Sequence, residues 1–288
     1  MSSQKEISGE IDQLKGFRDL VRAYEEIASL RMVRTRDTVV KNRKFLDEIE
    51  DIFEKVRASY ASEVKKLIKK RNSKNNKAIT FLAHNGKTVS VLLSANSGLY
   101  GSIVQTTFEQ FAEETRNQDV EVTIVGKQGL NLFQTEFPEK PYTYFEIPDE
   151  KVKSDDLNEI VKHIVQYEEI HVYYGKFINV VSQKPDLLTI SAEISLDDAR
   201  PDVGISYIFE PSLEKILMFF ETQIFAARFE QTAREGQLSK FASRVMAMDR
   251  ADENISERVK KLGLRKLRIG HKENNRKQLN SLVSINMW

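Results

Sequence analysis

Apolar positions recur with helical spacing at both ends of the chain and alternate like strands in between. From Lys5 to about Tyr60 there is no proline, and Ile7, Ile11, Leu14, Phe17, Val21, Tyr24, Ala28, Met32, Thr35 and Val39 form one stripe. The stripe breaks at Asn42 and resumes at Leu46, Ile49, Phe53 and Val56. Steps of three and four residues give the period near 3.5 that marks a coiled-coil seam. At about 1.5 Å per residue the predicted helix is on the order of 80 Å long, more than one small domain can cover. Gly9 and Gly16 weaken its start, each by roughly 1 kcal/mol relative to alanine.

A polar, charged connector from Lys65 to Lys77 ends this helix. The following stretch, ITFLAHNGKTVSVLLSANSGLYGS, reads as one or two strands, Thr88 to Leu93 among them. Next are a helix from Ser102 to Arg116, a strand at Val120 to Val125, a short helix near Gln128 to Phe133 and a strand at Tyr142 to Ile147. A helix from Ser154 to Tyr167, capped by Ser154-Asp155-Asp156, precedes a strand at Glu169 to Tyr174. Such alternation predicts a compact α/β domain with a largely parallel sheet. Lys184 to Ser206 reads as irregular, with room for one more strand.

The last segment opens at Phe209-Glu210-Pro211, where a proline near a helix start is harmless because its missing N–H would have no partner there. No further proline occurs. Leu213, Leu217, Phe220, Ile224, Ala227, Gln231, Arg234, Leu238, Phe241, Val245, Met248, Asp252, Ile255, Val259, Leu262, Lys266 and Ile269 follow in unbroken steps of four and three. A helix of that length reaches on the order of 100 Å. Gly236, Gly263 and Gly270 are its soft spots. The expected organisation is a helical segment at 1–64, an α/β domain at 65–208 and a helical segment at 209–288. The two helices pair as an antiparallel coiled coil. The competing reading is an ordinary helical protein with a core stripe.

Composition narrows the function. Hydrophobic content is 40% and charged content 30%, as long solvent-washed helices produce. The net charge of +1 gives no overall basic field for bulk nucleic-acid binding. Without cysteine there is no disulfide, thiolate metal site or cysteine nucleophile. No apolar run approaches the ~18 residues of a membrane span, and the N-terminus has no apolar signal core.

Candidate chemistry is sparse. His84, His163, His171 and His271 show no metal-ligand spacing, and neither a P-loop nor a GxSxG elbow is present. Ser97 to Ser102 forms a glycine-rich strand-to-helix turn, which either cradles a phosphate or only turns tightly. Gly126-Lys127-Gln128-Gly129 offers the same two readings. Asp197, Asp198 and Asp202 read as a solvated loop. Arg265, Lys266, Arg268, His271, Lys272, Arg276 and Lys277 form a basic cluster without interleaved aromatics, suited to water or an acidic protein partner. No nucleophile is paired with a base.

Several motifs in order resemble the gamma subunit of F-type ATP synthases over nearly the whole chain. Lys5-Glu6-Ile7, then Ala23, Ile27, Ala28 and Arg31-Met32, resemble that family's first helix. Ser94 to Gly101 matches its S-x-x-x-GLCG turn, with Tyr100 in place of cysteine. Ile124 to Gly129 matches its IGxKG turn. Lys176-Phe177-Ile178-Asn179, with Ser182-Gln183 and Pro185, matches KFIN-x-x-SQ-x-P. Tyr207 to Pro211 resembles Y-x-YEP. Ser243 to Met248, with Ala251 and Asn254, resembles ARM-x-AM-x-x-A-x-x-N. Departures include Ser102 for a usual glycine, Tyr24 for a common methionine, and Asn274 to Leu279 where an ITQEL-like stretch is usual.

The fold this implies is mixed α+β/α/β: a long antiparallel two-helix coiled coil from the terminal helices, with a central Rossmann-like α/β domain. The resemblance implies a non-catalytic rotor stalk that sits inside a hexamer of alternating alpha and beta subunits. ATP or ADP with Mg²⁺ binds those subunits, and no cofactor binds this chain. An epsilon-type subunit and a membrane c-ring, or a substitute, are the further expected partners; nucleic acid is not. The expected location is the cytoplasmic face of the bacterial plasma membrane, peripherally. Rotor contacts are expected from Tyr24, Arg31, Met32, Arg34, Arg36, Arg265, Arg268, Leu282 and Trp288, the arginines acting against acidic loops of the beta subunit. Ser97, Gly98, Leu99, Tyr100, Gly101, Tyr207 and Glu210 are expected to serve the foot. Two alternatives are a gamma-like rotor driving something other than proton translocation, and a non-rotary coiled-coil adaptor.

Overall fold

The computed structural model describes residues 4–59, 85–118, 120–150, 152–191 and 212–285. Helix α1 runs over Gln4–Ser59 and helix α5 over Leu213–Ile285. Between them lie β1 (Thr88–Leu93), α2 (Ile103–Asn117), β2 (Glu121–Val125), α3 (Lys127–Glu136), β3 (Thr143–Phe145), α4 (Ser154–Ile164), β4 (Glu169–Phe177) and β5 (Gln183–Ser191). The chain divides into two compact units, residues 1–30 with 244–288 and residues 31–243.

In the first unit the described parts of α1 and α5 pair antiparallel. Lys266 donates to Ser8 Oγ at 3.0 Å, Arg258 to Glu10 at 2.8 Å, and Arg22 forks onto both carboxylate oxygens of Asp252 at 2.8 and 3.2 Å. As α1 advances, its partners on α5 recede. Ile7 and Ala28 are buried, and the seam positions Ile255, Val259, Leu262 and Ile269 are partly covered. Apolar burial supplies the stabilisation here, because exposed ion pairs of this kind contribute little. Phe17 and Tyr24 lie on the predicted stripe yet are 62% and 42% exposed.

The second unit is built on a five-stranded sheet of order β3-β2-β1-β4-β5. Every neighbouring pair is parallel except β4 and β5, which are antiparallel. Strand alternation sends Val89, Val91, Val125, Ile170 and Val172 to one face, where they pack with Leu157, Ile160 and Ile164 of α4 and Phe225 and Phe229 of α5. Leu92, Val122, Ile124 and Tyr173 point to the other face, against Phe108 and Phe111 of α2 and Phe133 of α3. Full burial of a phenylalanine such as Phe229 contributes about 1.5–3 kcal/mol.

One expectation changes and two are narrowed. Asn42 does not break α1: its side-chain amide donates to Glu230 on α5 at 3.2 Å and takes a seam position itself. Of the expected cap Ser154-Asp155-Asp156, it is Asp156 at the third helical position that caps α4, its carboxylate accepting from the Lys153 backbone N–H at 3.3 Å. The stretch from Lys184, read as irregular with room for one more strand, supplies that strand as far as Ser191: β5 forms a hairpin with β4. Pro185 is tolerated there because, among the described strands, β5 lies at the edge of the sheet. The connector at 65–77, the strand expected near Ile79 to Leu82, His84, Asp197, Asp198, Asp202, Tyr207, Phe209 to Pro211 with Glu210, and Trp288 lie outside the described residues.

Candidate functional site

The glycine-rich turn follows β1, and β1 sits where the strand order reverses, between β2 and β4. Open α/β sheets bind ligands at the carboxyl ends of strands at such switch points. Here the turn already holds an anion. The backbone N–H of Asn96 lies 3.1 and 3.0 Å from the two carboxylate oxygens of Asp149, and that of Ser97 lies 2.7 Å from Oδ2. Ser97 Oγ donates to the same oxygen at 2.9 Å. Lys240 of α5 places its ammonium 3.6 Å from Oδ1 and donates to the Ser94 carbonyl at 2.7 Å. Gln237, one turn earlier, donates to the Asp149 carbonyl at 2.8 Å. Burial pushes the Asp149 carboxyl up, but Lys240 and the donors of Asn96 and Ser97 outweigh it and hold the group below the usual aspartate range.

Side chains close the corner. Asn96 donates to the Ile147 carbonyl at 2.7 Å and accepts from the Lys127 N–H at 3.0 Å, which joins the two glycine-bearing turns. Gly126, at φ +102°, makes that approach possible: a Cβ there would stand 2.9 Å from the N, C and O of Ala95. Tyr100 is turned inward against Ala95, Ile103 and Phe241, with Met32 of α1 packed alongside. Leu99 is 58% exposed and adopts φ +67°, a left-handed conformation that costs a leucine about 1–3 kcal/mol.

The predicted contact residues therefore fall into separate places. Arg31 and Met32 belong to the turn's own neighbourhood: Arg31 pairs with Glu150 at 2.7 Å, next to Asp149. Of the foot residues, Ser97, Gly98, Leu99 and Gly101 are exposed and Tyr100 is buried. Arg34 and Arg36 are exposed on α1, Arg36 with its neighbour Asp37 at 3.7 Å. In the first unit Tyr24, Arg265, Arg268 and Leu282 are exposed, and all described side chains from His271 to Leu282 face solvent.

The sequence reading missed Asp149, Lys240 and Glu235. Lys240 lies between buried Ser239 and Phe241, on a stretch of α5 where the off-seam positions Gln237, Ala242 and Ser243 are buried as well. Glu235 is held above the ordinary glutamate range by burial, against the attraction of Arg43 and Lys176, with Asp186 adding to the upward push. Asp186 also accepts from Lys176 at 2.6 Å and from Tyr174 at 3.4 Å. Of the histidines, burial lowers His163, whose Nε2 lies 3.2 Å from Thr123 Oγ1. Among the described residues no group of His, Cys, Asp and Glu could hold a metal ion, and no helix is long and apolar enough to cross a membrane. The arrangement directs the turn's donors onto the chain's own Asp149 carboxylate.

The ATP synthase family model matches residues 3–268. The chain belongs to the F-type ATP synthase gamma-subunit family. It is a divergent member. The ATP synthase gamma chain of Desulforamulus reducens is 23% identical over 276 residues, covering 92% of this chain and 91% of its own. That of Staphylococcus carnosus is 25% identical over 280 residues, with the same coverage. A chain in the Euglena gracilis mitochondrial ATP synthase structure, described as OSCP/F1/c-ring in rotational state 3, aligns at TM-score 0.66 and 14% identity. That alignment covers 98% of this chain and 93% of the other, and supports the same fold. As a gamma-family chain, this protein is a non-catalytic stalk subunit of an ATP synthase complex.

Proposed function

We propose that this gamma-family chain is the central rotor stalk of an F-type ATPase, coupling rotation to ATP synthesis or hydrolysis in a surrounding alpha/beta hexamer. The observation that carries the reading is the family match from residue 3 to 268, on a chain whose described ends of α1 and α5 pair antiparallel and whose sheet strands lie between those helices in sequence. In this reading the segments 1–64 and 209–288 form the shaft. Residues 65–208 form the foot, which meets an epsilon-type subunit and a membrane c-ring. ATP, ADP and Mg²⁺ sit on the alpha and beta subunits. The complex lies on the cytoplasmic face of a bacterial plasma membrane, with this chain as a peripheral part. The c-ring named with the Euglena gracilis structure supports a ring partner.

Among the expected rotor contacts, the exposed Tyr24, Arg34, Arg36, Arg265, Arg268 and Leu282 are free to face the hexamer. Ser97, Gly98, Leu99 and Gly101 present the foot's surface. The test is purification of the tagged chain from its native cells, with intact-complex mass and subunit identification. One copy per three alpha and three beta subunits, together with a ring, is the expected result. A hexamer with unfamiliar proteins and no ring would replace the ring assignment. Recovery with no nucleotide-binding partner overturns the rotor reading.

A further inference from the structure

We infer that the turn after β1 is an oxyanion site which the chain occupies with its own Asp149, and that this internal anion keys α5 to the sheet domain. Three features point there. Successive backbone N–H groups in a turn at the carboxyl end of a parallel strand form an anion cradle. The cradle here aims three donors at one carboxylate, the N–H groups of Asn96 and Ser97 and the Ser97 hydroxyl, with the Lys240 ammonium as its ion-pair partner 3.6 Å away. The occupant is no surface residue, since its side chain is only 7% exposed and that of Lys240 only 16%.

The second feature is mechanical. Lys240 and Gln237 lie on α5, whereas Asp149 and the turn belong to the sheet domain. Lys240 donates to the Ser94 carbonyl at 2.7 Å and pairs with the carboxylate at 3.6 Å, so rotation of α5 about its axis must break a charge-assisted hydrogen bond and a largely desolvated ion pair. The third feature is room. A cavity of about 30 Å³, lined by Ser94, Ile147, Pro148, Val152 and Lys240 among others, adjoins the site. The buried Ser94 Oγ there has no partner among the described residues. Removing the carboxylate joins this space to the vacated cradle and leaves a hole of formate size with its donors still aimed inward.

The ligand class for the emptied site is a small carboxylate-like oxyanion. The inference does not depend on the rotor reading, because it is tested on the full-length chain alone. Wild type, Asp149→Ala and Asp149→Ala/Lys240→Met are melted in sodium chloride and in sodium formate at equal ionic strength. Asp149→Ala is expected to melt on the order of 5–10 °C below wild type in chloride, as a cation and two amides lose their buried partner. Formate at about ten times its Kd should recover about 3 °C of that loss. Wild type and the double variant should melt alike in both salts. Equal melting of Asp149→Ala in formate and chloride, or equal recovery in the double variant, overturns the inference. Should Asp149→Ala yield no folded protein, Asp149→Asn keeps the cradle filled without charge. Amide exchange at Asn96 and Ser97 should then rise at least about tenfold over wild type, and unchanged protection there overturns the inference equally.

Discussion

Replacing Gly126 and Gly16 by alanine is the same chemical change with opposite expected signs. Gly126 adopts φ +102° and ψ 142°, a region essentially closed to other residues, at a cost of roughly 1–3 kcal/mol. The added methyl would also lie 2.9 Å from three backbone atoms of Ala95, none of which can swing aside. Yielding would displace hydrogen bonds that lock this corner. These run from Gly126 N to the Phe145 carbonyl at 3.0 Å, from Gln128 N to the Ala95 carbonyl at 2.8 Å and from Ser94 N to the Val125 carbonyl at 2.8 Å. Weakening one buried bond adds about 1–3 kcal/mol, so the total is about 2–6 kcal/mol. Gly16, by contrast, is exposed within α1, with nothing within 4 Å of a built Cβ. Alanine there should stabilise by about 0.5–1 kcal/mol, through a less flexible unfolded chain. Native-state hydrogen exchange reads each unit separately. Gly126→Ala should lower the opening free energy at Leu92 and Ile124 by the larger figure and leave residues near Gly16 unchanged. Gly16→Ala should raise protection along α1 near that position. A Gly126→Ala effect below about 1 kcal/mol, or a destabilising Gly16→Ala, would refute the steric and conformational reasoning.

Gln231 is buried in the α5 seam, with neither amide atom partnered among the described residues. Gln231→Leu should therefore raise stability by about 1–2 kcal/mol in denaturant titration; a loss would mean the amide has a partner. Glu235 gives a pH signature. Its folded pKa is raised, so the folded state holds the proton more tightly, and stability falls as pH climbs from the ordinary glutamate range through the raised value. Glu235→Gln should flatten that fall and match wild type at lower pH; parallel pH profiles would exclude the burial argument. Arg265 and Arg268 are exposed and expected to face acidic loops of the beta subunit. In the assembled complex, Arg265→Glu/Arg268→Glu should lower torque in single-particle rotation at least about twofold and weaken its salt dependence. Unchanged torque and ATPase rate would remove the electrostatic reading.

Both long helices, the first parallel strands and the helices between them were legible from periodicity, which each segment writes into its own residues. The α5 seam needed no correction: every position from Leu217 to Ile269 is at least partly covered. Misreadings arose where the deciding partner is distant. Asn42 looked like a break because its partner, Glu230, is on the other helix. Glu230 also accepts from Ser154 at 3.3 Å and from Arg234 at 2.7 Å, gathering three helices on one carboxylate. The β5 strand was read only as room for one more strand, without bounds, because its pairing is set by β4 and its Pro185 fits an edge but not a central strand. Asp149 looked like one loop acid among many, because its donors lie more than fifty residues before it and roughly ninety after it.

By itself, the sequence determined the helix pair, the inserted α/β domain and the family, since hydrophobic period and motif order are local and survive divergence. It also showed that no catalytic constellation is spelled out along the chain. Tertiary structure alone decided which glycine is obligatory and which is only soft, since a Cβ clash depends on what another segment places opposite. It also decided that the phosphate-like turn is filled from within, because an anion cradle reads the same in sequence whether a ligand or the chain's own carboxylate completes it.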